Sequence, residues 1–260
     1  MTQRRRRNSS RSAASHLRTL GIDIGGTAVK AAILDATGKM VTERCRVSTP
    51  HPCPPSAMLM LIDRLASTLA EFDRISIGFP GVVRAGRVIT APNLGTSPWR
   101  GYRLATAVSR RLGKPTRLLN DAEVQGLGII DGRGLEVVLT LGTGVGSAVF
   151  TEGQLAPHLE LGQHPLHNGH TYDQYIGNEA FLAKGHRKWN HRVRKAIEVV
   201  ETLFNYDKLH LGGGNATHID FDLPEGVSIA PNDTGITGGI HLWDARVWRA
   251  ISKTHDIRLL

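Results

Sequence analysis

The chain has 260 residues, 40% hydrophobic and 21% charged, the balance of an ordinary globular protein and enough length for two modest lobes or one large α/β domain. No apolar run approaches the roughly 20 residues that span a bilayer, so no membrane partner is expected. Two cysteines, Cys45 and Cys53, exclude a disulfide framework and lack the spacing of a zinc site, which fits a reducing, cytoplasmic setting. The formal net charge of +9 admits nucleic acid, a membrane surface or a polyanionic substrate as partner.

The opening MTQRRRRNSSRSAAS is rich in Arg and Ser without an apolar core. It reads as a disordered basic tail over 1–16 rather than a secretory leader. Order is expected from Leu17. Leu20, Ile22 and Ile24 alternate with smaller residues, as do Val29, Ala31 and Ile33, and Ala36-Thr37-Gly38 supplies turn chemistry, so a strand pair opens the fold. Met58, Leu61, Ile62, Leu65, Leu69 and Phe72 sit at helical spacing. RISIGFPG predicts a buried strand ending in a loop, GRVITAP another strand, 101–112 a helix, and TRLLN a strand that stops at Asn120-Asp121. The order then restarts. LEVVLTLGTGVGSAVF reads as two strands joined through Gly142 to Gly146, and helices follow near 173–184 and 186–204. KLHLGGGNA is a strand entering a turn, GVSIAP a short strand, and Thr237 to Ser252 a final helix. This repetition suggests two related α/β lobes, 17–120 and 121–260, facing each other across a cleft, with the last helix free to return to the first lobe.

Three glycine-rich turns each follow a predicted strand: Gly25-Gly26-Thr27, Gly142 to Gly146, and Gly212-Gly213-Gly214. Such turns let backbone N–H groups approach phosphate oxygens without a Cβ in the way. None matches GxxxxGK[ST] or a helix-opening GxGxxG. Asp121 begins an apparent helix where the lobes would meet. It reads either as a helix N-cap or as a general base that orients an alcohol. A basic cluster on the predicted helix, containing Arg187, Lys188, Arg192 and Arg194, is either a solvated face or a track for a long polyanion.

DIGGT followed by Lys30, the Asn120-Asp121 pair, LGTGVGSA and LGGGNA occur in order and at fitting separations. As an ordered set they resemble the ROK family of sugar kinases and regulators, and within it the compact polyphosphate glucokinase and glucomannokinase branch. The resemblance covers nearly all of the chain from Leu17. It implies a two-lobed actin/hexokinase-like (ribonuclease H-like) α/β fold with a central cleft. It also implies transfer of a phosphoryl group from polyphosphate, ATP or both to the 6-hydroxyl of glucose, possible use of mannose, and a homodimer.

Residue by residue, the resemblance places Gly25, Gly26 and Thr27 in a first phosphate loop. Asp23 and Lys30 stand close to the transferring phosphate, with Asp23 beside Mg²⁺ carried on the donor. Thr143 and Gly144 belong to the second loop, and Gly213 and Gly214 line the nucleotide or far-phosphate end. Gly81, Asn93, Asn120, Glu160, His164 and Asp173 shape or hold the sugar. Asp121 takes the proton of the attacking hydroxyl. Two departures stand out. The cysteine-rich zinc motif of many members is missing, and Gln163 occupies the place of a His three residues after the sugar-binding Glu. Competing readings are an ATP-only hexose kinase of different sugar preference and a noncatalytic sugar-responsive regulator. The roughly seventeen residues before the fold are too few for a helix-turn-helix module, so no nucleic-acid partner is expected.

Overall fold

The computed structural model describes residues 16–255, so the tail predicted over 1–16 lies outside it but for its last residue. In chain order the first half comprises β1 (Thr19–Ile24), β2 (Ala28–Leu34), β3 (Cys45–Ser48), α1 (Pro55–Thr68), β4 (Arg74–Phe79), β5 (Val83–Arg84), β6 (Arg87–Val88), α2 (Thr96–Trp99), α3 (Leu104–Leu112) and β7 (Thr116–Asn120). β1, β2 and β3 form an antiparallel meander, and β4 and β7 join parallel on the far side of β1, giving the order β3-β2-β1-β4-β7.

The second half continues with α4 (Asp121–Leu127), β8 (Leu135–Leu141), β9 (Val145–Thr151), β10 (Gln154–Leu155), β11 (Pro165–His167), β12 (His170–Thr171), α5 (Tyr172–Ile176), α6 (Asn178–Lys184), α7 (His186–Phe204), β13 (Lys208–Gly212), β14 (Val227–Ile229), α8 (Thr234–Thr237) and α9 (Ala245–Thr254). Its main sheet runs β10-β9-β8-β13-β14, again three antiparallel strands and then two parallel ones. The two sheets therefore share one topology, the actin/hexokinase-like α/β arrangement that the ordered motifs imply.

Alternation in the strands and helical spacing in α1, α3 and α7 sort the core into layers. Leu20, Ile22 and Ile24 of β1 pack with Met58, Ile62 and Leu65 of α1 and Val108 of α3. Val137 and Leu139 of β8 pack with Val193, Ile197 and Val200 of α7 and with Trp189. A third cluster joins Leu119 and Val124 to Val138, Phe150, Leu242 and Trp248. α4 thus touches both sheets, and each fully buried aliphatic side chain contributes roughly 1.5–3 kcal/mol to holding it. The chain from 234 onward leans on the first sheet. Ile236 packs on Ala32 and Leu34, Ser76 Oγ donates to the Gly239 carbonyl, and the Arg117 guanidinium lies over the Trp243 and Trp248 rings. A Cβ at Gly238 would fall on the Val124 carbonyl oxygen, so glycine permits this close approach to α4.

Three predicted elements differ in extent. The strand expected across GRVITAP shrinks to the two-residue ladder of β5 and β6, because Ala85 and Gly86 turn the chain at φ 51° and 67°. The helix expected to reach Phe72 stops at Thr68, where the Thr68 hydroxyl bonds back to the Leu65 carbonyl. The last predicted helix is broken into α8, a 3₁₀ segment over Gly238–Trp243, and α9, which Asp244 caps through the Arg246 and Val247 N–H groups.

Candidate active site

All three glycine turns open onto one cleft of about 440 Å³ between the sheets. The first two touch: the Thr27 and Thr143 hydroxyls lie 2.8 Å apart although 116 residues separate them in sequence. Thr49 Oγ1 donates to the Gly25 carbonyl, and Thr49 N donates to Thr27 O, so the end of β3 holds the first turn in shape. At the third turn Gly213 takes φ 81°, and a Cβ there would fall on the Leu141 carbonyl. Gly213→Ala is therefore expected to destabilise the fold by about 2 kcal/mol or more and to weaken donor binding. Urea titration and donor KM measure the two losses.

Of the two readings left open at this helix start, capping falls to Asn120. Asn120 is the cap: its Oδ1 accepts from Ala122 N and Glu123 N, and its Nδ2 donates to the Phe79 and Gly81 carbonyls. These bonds fix Asn120 in the floor of the cleft, where it is part of the lining. Asp121 is the first residue of α4. Its Oδ1 accepts from Ala122 N, and its Oδ2 accepts no hydrogen bond among the described residues. Burial, the nearby Asp23 charge and the Glu160 charge together push the Asp121 carboxyl up to about 8.

Around Asp121 the cleft gathers Asp23, Gly25, Gly26, Thr27, Lys30, Gly81, Asn93, Thr143, Gly144, Glu160, Asp173, Gly213 and Gly214, most of the residues implied by the motifs. Lys30 Nζ pairs with Asp23 Oδ2 at 3.1 Å. Asp173 acts as a strut, because its Oδ1 accepts from Val145 N at 2.6 Å and its Oδ2 from Gln163 Nε2 at 2.7 Å. Gln163 thus reaches the cleft tied to the second glycine turn.

Five of the sequence candidates stand elsewhere. His164 is exposed, with Nδ1 against the Pro165 carbonyl, and is not part of the cleft lining. Arg187, Lys188, Arg192 and Arg194 also lie off the cleft. Arg192 stacks over Tyr175 and donates to its carbonyl, and Arg194 covers the Phe221 ring. Both guanidinium groups thus pack on aromatic faces away from the cleft.

Sequence reasoning missed a buried network beside Glu160. Glu123 Oε1 meets His158 Nδ1 at 2.9 Å, and Glu123 Oε2 accepts from Asn120 N. His158 Nε2 faces Glu160 Oε2 at 3.5 Å, and His255 Nε2 lies 3.8 Å from Glu123 Oε1. Burial alone would lower the His158 pKa, but the hydrogen bonds and charges of Glu123 and Glu160 outweigh it and lift it to about 9. The capping-box spacing of Asn120 and Glu123 was a readable signal for half of this network. Also missed were Asn178 and Asn215, which tie the Gly142 turn to the third glycine turn, and the cleft-lining Arg44 and Arg46.

The sequence profile described as ROK family matches residues 19–180. The chain belongs to the ROK family. Among curated members, the polyphosphate glucokinase of Mycobacterium leprae (strain TN) is 33% identical over 225 residues, 81% of this chain and 67% of that protein. The polyphosphate glucokinase of Mycobacterium tuberculosis (strain ATCC 25618 / H37Rv) is 31% identical over 215 residues, 78% of this chain and 80% of that one. Inorganic polyphosphate/ATP-glucomannokinase from Arthrobacter sp. strain KM superposes with a TM-score of 0.77 at 30% identity, covering 86% of this chain and 97% of that one. A ROK family glucokinase from Streptomyces griseus, solved with glucose and AMPPNP, shares the fold at a TM-score of 0.73 and 20% identity, covering 86% and 98%. This ROK protein is a hexokinase-type phosphotransferase. Among its described residues no helix is long and apolar enough to cross a membrane.

Proposed function

We propose that this ROK kinase transfers the terminal phosphoryl group of inorganic polyphosphate or ATP to the 6-hydroxyl of glucose. The observation that carries the reading is Asp121, whose Oδ2 accepts no hydrogen bond among the described residues, standing in one cleft with two glycine turns that touch through Thr27 and Thr143. Phosphoryl transfer asks little more of a protein than a hydroxyl held in line, cradled phosphates and neutralised charge.

In this reading Glu160 and Asn93 bind sugar hydroxyls on one side of Asp121, while Gln163 helps to close that side. The turns at Gly25–Thr27 and Thr143–Gly144 hold the phosphates on the other side. The O6–H proton passes to Asp121 as O6 bonds to phosphorus and the bond to the donor chain breaks, leaving glucose 6-phosphate and a donor one phosphate shorter. A donor-borne Mg²⁺ suits this site, since Mg²⁺ needs only one or two carboxylates plus substrate phosphates and Asp23 supplies one beside the first turn. When bound, the ion neutralises phosphate charge. Lys30, paired with Asp23, adds a positive charge beside the first turn.

The experiment is a product assay with glucose and mannose against ATP and polyphosphate in parallel. The expected product is glucose 6-phosphate from both donors. Phosphorylation at another hydroxyl, or turnover of neither sugar, would overturn the reading.

A further inference from the structure

We propose that Arg46, on edge strand β3, and Arg44, just before it, form with Lys30 a track for the part of a polyphosphate chain that trails the transferred phosphoryl group. The inference rests on the donor reading above and relocates the basic surface from α7 to the cleft wall. The register places Asp23 opposite Lys30 across β1 and β2, and Lys30 opposite Arg46 across β2 and β3. These three side chains therefore share one face of the sheet, and the row runs about 10 Å from the first phosphate turn to the sheet edge. Within β3, Cys45 and Val47 turn toward the core while Arg46 stays exposed, and Arg44, also exposed, precedes the strand and lines the same cleft.

Both arginines line the cleft, and together with Lys30 they are its basic side chains. Lys30 is paired with Asp23, whereas neither Arg44 nor Arg46 makes a salt bridge or a side-chain hydrogen bond among the described residues. Charge is thus sorted along the cleft. Asp121 and Glu160 stand on the sugar side, Asp173 braces the second turn, and guanidinium groups without a partner among the described residues line the cleft at the sheet edge. A guanidinium presents forked donors that match phosphate oxygens. ATP ends its charge at a nucleoside after three phosphates, while a polyphosphate chain carries charge onward to the edge strand.

The test compares wild type, Arg44→Gln/Arg46→Gln, and the charge-matched Arg187→Gln/Lys188→Gln. Equilibrium binding of long-chain polyphosphate, tripolyphosphate and Mg-ATP is measured across a salt series, alongside initial rates. For the β3 variant, long-chain polyphosphate should bind about tenfold more weakly at low salt, and its log–log salt slope should fall by roughly 1.5, the share of two phosphate contacts. Mg-ATP should shift by less than about threefold, which also reports that the variant is folded. Equal weakening of both donors, an equal loss in the α7 variant, or no binding of polyphosphate to wild type would overturn the track. Polyphosphate that binds through Arg44 and Arg46 without being turned over would uphold the track and remove polyphosphate from the donor assignment.

Discussion

Asp121→Asn is expected to lower kcat by about 10³-fold while moving the sugar dissociation constant little, because Asn keeps the shape and hydrogen bonding of the carboxylate but accepts no proton. Single-turnover rates and calorimetric sugar binding separate the two effects. A variant that keeps a tenth or more of the wild-type rate would remove Asp121 from proton transfer. The carboxyl is raised to about 8 by burial first, then by Asp23 and Glu160. kcat/KM, which reports the free enzyme, should therefore climb with pH toward a plateau above that value. The same shift sets a stability signature. A carboxyl whose folded pKa is raised contributes stability that is complete below its unfolded pKa near 4 and is lost as pH rises through about 8. Asn carries no such loss, so the variant's Tm should exceed that of wild type at pH 8–9 and converge with it near pH 4. A variant that is both inactive and less stable at pH 8–9 would point to lost structure instead.

Glu123→Gln tests the buried network and is expected to cost roughly 3 kcal/mol of unfolding free energy near neutral pH. Glu123 is fully buried and joins three parts of the chain, with the Asn120 N–H, His158 and His255 all turned toward its carboxylate. Gln can still accept from Asn120 N, so the variant isolates the charge. The sign follows from His158, whose pKa is lifted to about 9. The stability gained from holding its proton is fully present below its unfolded pKa near 6.5 and disappears as pH rises through 9. The gap between variant and wild type in urea unfolding should therefore be widest at pH 6 and narrow by pH 10. His158 also faces Glu160, so KM for glucose should rise about tenfold with a smaller change in kcat. A gap independent of pH would show that the contribution of Glu123 is steric and not ionic.

Several features of the site were legible without coordinates because they depend on neighbours close in sequence. Alternation in β1 and β2, helical spacing in α1 and α7, and glycines at strand ends are statements about the next few residues. So is the Asn120–Glu123 spacing, which by itself implies a capped helix start and hence places Asp121 on the first turn of α4.

Other features were decided only when distant segments packed. The Thr27–Thr143 contact and the Glu123–His158 pair join residues 116 and 35 positions apart, distances over which no local periodicity acts. The arginines show the difference most plainly. Composition marked α7 as the basic surface, yet Arg192 and Arg194 are held on aromatic rings, while Arg44 and Arg46 reach the cleft. A run of charge in sequence reports only how many cations there are. Which of them faces an anion depends on the register of β3 against β2 and on the side of the sheet that the cleft occupies. The chain by itself thus determined the order of strands, turns and helices and the catalytic Asp121 candidate. Tertiary packing decided which polar groups remain free to act, because a side chain already engaged by a buried neighbour is no longer available to a ligand.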